Sequence, residues 1–152
     1  MSSIRFRRID KTTPGEQIKE ALKSLEDALF FSRELLPSHS FWLVDSDSRT
    51  VGVIGFYRKK SVSYFAFSLY PKFRGGRGKQ IFDLFYHLHC SDLFCVKTLE
   101  EERFAAADRL YAQTPMRRYQ IGKTIIYING GLLFGFRVLL LEFLSILRRK
   151  TQ

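Results

Sequence analysis

The chain has 152 residues, of which 45% are hydrophobic and 15% aromatic. This composition excludes a disordered tail, and the length predicts one domain whose core is rich in rings, since 15 residues are phenylalanine. The formal net charge of +10 indicates an anionic partner, for which nucleic acid, a phosphorylated cofactor, a membrane surface and an acidic protein are candidates. The simpler alternative is a solvated basic surface.

The cysteines and the N-terminus indicate the cellular setting. The chain has two cysteines, Cys90 and Cys95, and residues 1–8 lack the apolar segment of a secretory signal. These features predict a reduced, cytoplasmic protein. His87, His89 and Cys90 do not have the spacing of a zinc site, so no metal is expected.

The first half of the chain predicts a strand, a helix and three more strands. Residues 3–9 alternate apolar and basic side chains, as in a half-buried strand. A capping box from Thr13 to Glu16 predicts a helix that continues to about Leu35. Three strands joined by short polar turns, an antiparallel meander, are predicted at residues 41–45, 50–57 and 62–69.

A glycine-rich basic loop follows the last of these strands. The loop is Phe73-Arg74-Gly75-Gly76-Arg77-Gly78-Lys79, and residues 80–89 read as a helix. A glycine-rich turn before a helix gathers free backbone N–H groups and the positive end of the helix dipole, which favours phosphate. Arg74, Arg77 and Lys79 add positive charge. The pattern therefore predicts a pyrophosphate-bearing ligand, and the alternative is a basic surface loop.

The second half predicts a strand at residues 92–98, a helix at 101–113 and a strand at 119–128. A strand, helix and strand in succession suggest a parallel crossover between the strands at 62–69 and 92–98. Asn129-Gly130-Gly131 is a typical hairpin turn, so residues 132–143 are expected to return as an antiparallel strand. The competing interpretation of residues 132–149 is a C-terminal helix, because the run is long and leucine-rich.

Two stretches resemble motifs of the Gcn5-related N-acetyltransferase (GNAT) superfamily. The segment from Leu69-Tyr70-Pro71 to Lys79 is similar to the family's strand end and glycine-rich turn, and Ala107-Asp108-Arg109-Leu110-Tyr111 is similar to a later motif. The resemblance implies a single α/β domain over residues 1–152, with a mixed, mostly antiparallel sheet flanked by helices.

The resemblance also implies an activity, the transfer of an acetyl group from acetyl-CoA or another acyl-CoA to an amine that the sequence does not identify. It places the coenzyme pyrophosphate at the loop residues Arg74, Gly75, Gly76, Arg77, Gly78 and Lys79, and the pantetheine beside the strand that ends at Leu69. Tyr111 is expected to protonate the departing thiolate. Glu100, Glu101 and Glu102 are the nearest candidates for a base, although they equally suit a first helical turn.

A non-enzymatic reading of the same fold stays open. The glycine register departs from the family pattern, and the strand at 62–69 carries no acid. An inactive structural or binding protein, such as a phage particle component, would use its basic surface for nucleic acid or an acidic protein partner. A homo-oligomer is open, whereas membrane association is not favoured because it needs residues 132–150 to be a helix that ends in Arg148-Arg149-Lys150.

Overall fold

The computed structural model describes residues 3–26 and 40–151, which form two compact units divided between His89 and Cys90. The predicted continuation of the first helix to Leu35 lies outside the described residues.

The first unit is an antiparallel meander with two helices in its described part. Its strands pair in the order β1-β2-β3-β4, which confirms the predicted meander. The two tight turns at Asp47-Ser48 and Lys60-Ser61 have positive φ at both residues, as a type I′ hairpin requires. The elements are β1 (Ile4–Arg8), α1 (Gly15–Glu26), β2 (Ser40–Ser46), β3 (Arg49–Lys59), β4 (Val62–Leu69) and α2 (Gly78–His89).

Phe85 joins α2 to this sheet. Its ring is 2% exposed. The rings whose centroids lie within 6 Å of it come from all four strands of the unit and from α2 itself: Phe6 (5.4 Å), Trp42 (5.5 Å), Phe56 (5.6 Å), Phe65 (5.8 Å) and His89 (4.4 Å). Edge and tilted ring contacts of this kind add to the hydrophobic gain from burial. The predicted ring-rich core is therefore present, and it orients α2 on the sheet.

The second unit has β7 as its central strand. In the described residues β7 pairs antiparallel with β5 on one side and with β6 on the other. The elements are β5 (Phe94–Leu99), α3 (Ala105–Ala112), β6 (Arg117–Ile121), β7 (Thr124–Asn129) and α4 (Leu132–Lys150).

The single strand predicted at residues 119–128 is wrong. A tight turn at Gly122-Lys123 splits the segment into β6 and β7, and Ile121 pairs with Thr124 across it. Gly122 has φ of 61°, a conformation that glycine adopts at little cost. The segment therefore folds back on itself as a hairpin.

The strand predicted at residues 132–143 is also wrong, because this segment is the first part of α4. Both edges of β7 are occupied by β5 and β6, so no edge remains for a returning strand. Gly131 begins the helix instead, since its carbonyl accepts a hydrogen bond from the Gly135 amide at 3.0 Å. The side chain of Asn129 donates to the carbonyls of Cys90 (2.9 Å) and Asp92 (2.8 Å) and does not form the expected turn.

A buried ion pair fastens α4 to β5. Lys97 Nζ lies 2.9 Å from Glu142 Oε2, and each side chain is only 8% exposed. Glu142 shares the buried face of α4 with Gly135 and Val138, residues that recur at helical spacing. Removing one partner of such a pair leaves a buried charge without compensation, which costs about 3–5 kcal/mol.

We predict that Glu142→Gln lowers the free energy of unfolding by about 3 kcal/mol or more, because the Lys97 ammonium stays buried without its carboxylate. Urea unfolding followed by circular dichroism measures the change. As the matched control, Lys97→Met combined with Glu142→Leu should recover most of the loss, since it removes both charges and keeps the volume apolar. A loss below about 1 kcal/mol in the single variant would contradict this role of the pair.

Candidate active site

A cavity of about 580 Å³ lies in the first unit, where β4 leads into α2. The end of β4, the predicted loop and the β2–β3 turn form its wall. Four of the lining side chains are cationic (Arg49, Lys72, Arg74 and Arg77) and one is acidic (Asp47). The cavity therefore has a net positive lining and suits an anionic ligand.

The first turn of α2 supplies backbone donors beside this cavity. The Arg77 carbonyl accepts the first bond of the helix, from the Ile81 amide at 3.0 Å. In the part of the chain that the structure describes, the amides of Gly78, Lys79 and Gln80 make no backbone hydrogen bond. Free amides at a helix start, together with the helix dipole, bind anions such as phosphate.

The cations of the loop differ in where they point. Arg77 lines the cavity and reaches the β2–β3 turn, where its guanidinium donates to Ser46 Oγ at 2.7 Å and lies 3.2 Å from Asp47 Oδ2. The Nε of Arg74, also in the lining, donates to the Leu69 carbonyl at 3.3 Å. Lys79 does not line the cavity, because it pairs with Asp83 one turn along α2 at 2.6 Å.

The three glycines of the loop differ in backbone conformation and in position relative to the cavity. Gly75 has φ of 84°, a left-handed conformation in which other residues are strained. Gly75 and Gly76 line the cavity, whereas Gly78 begins α2. Leu69 closes the apolar side of the cavity together with Ile81. Positive φ is therefore needed at only one of the three positions.

The β2–β3 turn is the part of the cavity that the sequence did not indicate. Ser46, Asp47 and Arg49 come from this turn and Val51 follows it on β3, about 25 residues before the loop. A polar turn between two strands carries no signal of ligand binding. Only the pairing of β3 with β4, in which Gly52 lies opposite Leu69, brings this turn to the loop.

Tyr111 lies in the second unit, on α3, and is 7% exposed. Its ring packs edge-on against Tyr127, with 5.6 Å between centroids. Burial raises the pKa of the Tyr111 hydroxyl well above its usual range, and the nearby Tyr127 raises it further. The hydroxyl is therefore protonated at neutral pH and does not serve as a base.

Tyr127 and Arg118 hold α3 against the β6–β7 hairpin through Asp108. The Tyr127 hydroxyl donates to the Asp108 carboxylate, and Arg118 Nε lies 3.6 Å from the same carboxylate. Burial and the hydrogen bond to Asp108 raise the pKa of Tyr127 to about 12. These contacts position α3, and with it Tyr111, on the hairpin.

The three glutamates after β5 line a second, smaller cavity of about 300 Å³. Asp108 and Arg118 line the same cavity. The Glu100 carboxylate accepts a hydrogen bond from Gln120 at 2.6 Å, and that of Glu101 accepts one from Arg103 at 2.8 Å. Arg103 therefore compensates the charge of Glu101, whereas Gln120 gives Glu100 a hydrogen bond without a charge. Across residues 3–26 and 40–151, no group of His, Cys, Asp and Glu has the arrangement of a metal site.

Comparison with solved structures identifies the fold. The chain is similar to the Campylobacter jejuni N-acetyltransferase PseH in complex with acetyl coenzyme A, at 18% identity and a TM-score of 0.59 over 83% of this chain and 97% of that one. It is similar to the ribosomal-protein-S18-alanine N-acetyltransferase of Escherichia coli, at 13% identity and a TM-score of 0.56 over 84% and 91%.

A third similar structure is a GNAT family acetyltransferase from Elizabethkingia anophelis with acetyl-CoA bound, at 11% identity and a TM-score of 0.52 over 82% of this chain and 95% of that one. No protein-family model matches the sequence, and neither does any curated protein sequence. The structural likenesses show that the chain has the α/β fold of the GNAT acetyltransferases, as the sequence motifs implied.

We predict that Arg77→Gln weakens the binding of inorganic pyrophosphate about tenfold, because a guanidinium that lines the cavity can bond the anion directly. Asp47→Asn should tighten binding several-fold, since it removes the carboxylate that competes for Arg77. Isothermal titration calorimetry at constant ionic strength measures both.

Lys79→Gln is the matched control for this prediction, because it removes the same charge from the same segment but from a side chain outside the cavity lining. Its affinity for pyrophosphate should change less than about threefold. Equal losses in Arg77→Gln and Lys79→Gln would assign the attraction to general positive charge and contradict a built site.

Proposed function

We propose that this chain is an acyl-CoA-dependent N-acyltransferase that takes an acetyl group from acetyl-CoA and transfers it to an amine. The observation that carries the proposal is the cationic cavity beside the free amides at the start of α2. Its volume of about 580 Å³ is within the usual range for small-molecule sites.

The chemistry of coenzyme A matches the two halves of this cavity. The pyrophosphate needs several hydrogen-bond donors and positive charge, and the amides of Gly78, Lys79 and Gln80 with Arg74 and Arg77 supply them. Leu69, Val51 and Ile81 add an apolar surface that suits the uncharged part of a ligand. Two of the similar structures are named as holding acetyl-CoA, which supports the same assignment here.

The proposed reaction is a direct transfer. The neutral amine of the acceptor attacks the thioester carbonyl carbon, the new C–N bond forms, and the C–S bond then breaks to release CoA as a thiolate. The nitrogen loses its extra proton to water, and the thiolate accepts a proton from Tyr111. Binding both reactants in one site makes a large contribution to the rate, because the entropy of bringing two free molecules together is lost on binding and not in the chemical step.

Calorimetry with acetyl-CoA tests the proposed donor. Saturable binding with a dissociation constant on the order of micromolar is expected, and S-acetylpantetheine, which lacks the pyrophosphate, should bind at least about 100-fold more weakly. Release of free CoA from acetyl-CoA should then appear only when an amine from a panel of peptides and small polyamines is added. No binding of acetyl-CoA, combined with salt-steep binding of DNA or RNA, would overturn the proposal in favour of a nucleic-acid-binding protein.

We predict that Tyr111→Phe lowers the turnover number about 100-fold with the amine found in that panel, while the affinity for acetyl-CoA stays within about twofold. The buried hydroxyl donates a proton only after the thioester is attacked, so its loss affects the chemical step and not the binding of the donor.

Tyr119→Phe is the control for this variant, because it removes a tyrosine hydroxyl from a half-buried position on β6 in the same unit, and its turnover number should stay within about twofold of that of the unchanged chain. Thermal unfolding of both variants shows whether the fold is kept. An unchanged turnover number in Tyr111→Phe would remove Tyr111 from the mechanism.

A further inference from the structure

The helix α4 presents an exposed apolar stripe along its length. Leu133 is 89% exposed and Phe136 is 70% exposed, whereas Val138 on the opposite side is completely buried. The exposed stripe continues at intervals of three and four residues, apart from one adjacent pair, and its members are Leu133, Phe136, Leu140, Phe143, Leu144 and Leu147. Intervals of three and four place these side chains on one side of a helix. A stripe of this size on a protein surface marks an interaction site.

The charges of α4 are arranged asymmetrically. Arg148, Arg149 and Lys150 form a cationic end, and Arg137 adds a fourth exposed positive charge. Glu142, the acidic residue of this helix, is buried in its ion pair with Lys97 and contributes no negative charge to the surface. The solvent-facing side of α4 therefore combines leucine and phenylalanine with positive charge alone.

We propose that α4 is a docking helix for an anionic phospholipid surface. Helices that lie in the plane of a membrane interface combine exposed leucine and phenylalanine with lysine or arginine, and α4 does so with its basic residues at Arg137 and at its C-terminal end. The apolar side chains enter the boundary between headgroups and acyl chains, and the basic end is attracted by anionic headgroups. The chain's formal charge of +10 adds to the attraction.

A second copy of the chain is the other occupant that an apolar stripe with this spacing could accept. Two α4 helices packed in parallel would bring Arg148, Arg149 and Lys150 of both copies together, which is repulsive. Packed antiparallel, the cationic ends would face Leu132 and Leu133, where α4 offers no carboxylate. The one-sided charge of the helix favours an anionic surface over a copy of itself.

Sedimentation with lipid vesicles tests the proposal on the full chain. Binding is expected to vesicles of 70% phosphatidylcholine and 30% phosphatidylserine, and to be at least about tenfold weaker with phosphatidylcholine alone. Phe136→Ser with Phe143→Ser should weaken binding at least about tenfold although all charges remain. Arg148→Gln, Arg149→Gln and Lys150→Gln together should give a comparable loss, and the binding that remains should fall less steeply with added salt than that of the unchanged chain.

Leu88→Ser is the matched control, because Leu88 is an exposed leucine (64%) on the different helix α2. It should bind vesicles like the unchanged chain. Equal binding by the Phe136→Ser/Phe143→Ser variant would overturn the proposal, since it would show that charge alone brings the protein to the vesicle.

Phe136→Trp supplies a direct readout of insertion. Its added fluorescence should be quenched by phospholipids brominated on their acyl chains, relative to the unchanged chain that contains only Trp42. Absence of quenching would overturn the proposal. So would a concentration-dependent dimer that Phe136→Ser/Phe143→Ser dissociates and that does not bind vesicles, because it would assign the stripe to a second copy.

Discussion

The packing of Phe85 between α2 and the sheet is the interaction on which the candidate site depends. This one buried ring contacts rings from β1, β2, β3 and β4, and it lies about two turns from the start of α2. A phenylalanine in such a position stabilises a fold by about 3–5 kcal/mol relative to alanine. Because the helix is rigid, the ring contacts that fix its middle also fix the direction of its first amides. The geometry of the proposed anion site therefore follows from an apolar core.

The proposed ligand site has one of its cations already held at the cavity wall. Arg77 is held by Ser46 and Asp47, so its guanidinium already lies at the cavity wall. An exposed ion pair of this kind is worth little in stability. Its effect is on geometry, because the pair already restricts the conformations of the long Arg77 side chain. Less conformational entropy is therefore lost when a ligand binds. The carboxylate that positions the guanidinium is also the anion that an incoming phosphate has to displace.

The helix α4 has two faces with different physical roles. Its inner face is fastened by the Lys97–Glu142 pair, which is costly to bury and therefore specifies one placement of the helix on β5. Its outer face keeps leucine and phenylalanine in solvent, which is unfavourable unless they contact another surface. Glu142 affects both faces. It holds the inner face to Lys97, and its burial leaves the outer face with positive charge alone.

Local patterns in the sequence determined much of this protein. Short polar turns between alternating strands predicted β2, β3 and β4, and the glycine-rich loop before residue 80 predicted the start of α2, because these signals depend on neighbours a few residues apart. The run at 132–150 was ambiguous, since leucine-rich segments suit both a strand and a helix. Tertiary structure decided it, because β5 and β6 already occupy both edges of β7. Tertiary structure alone also brought Asp47 and Arg49 to the loop, since no local pattern records which distant turn a paired strand places beside it.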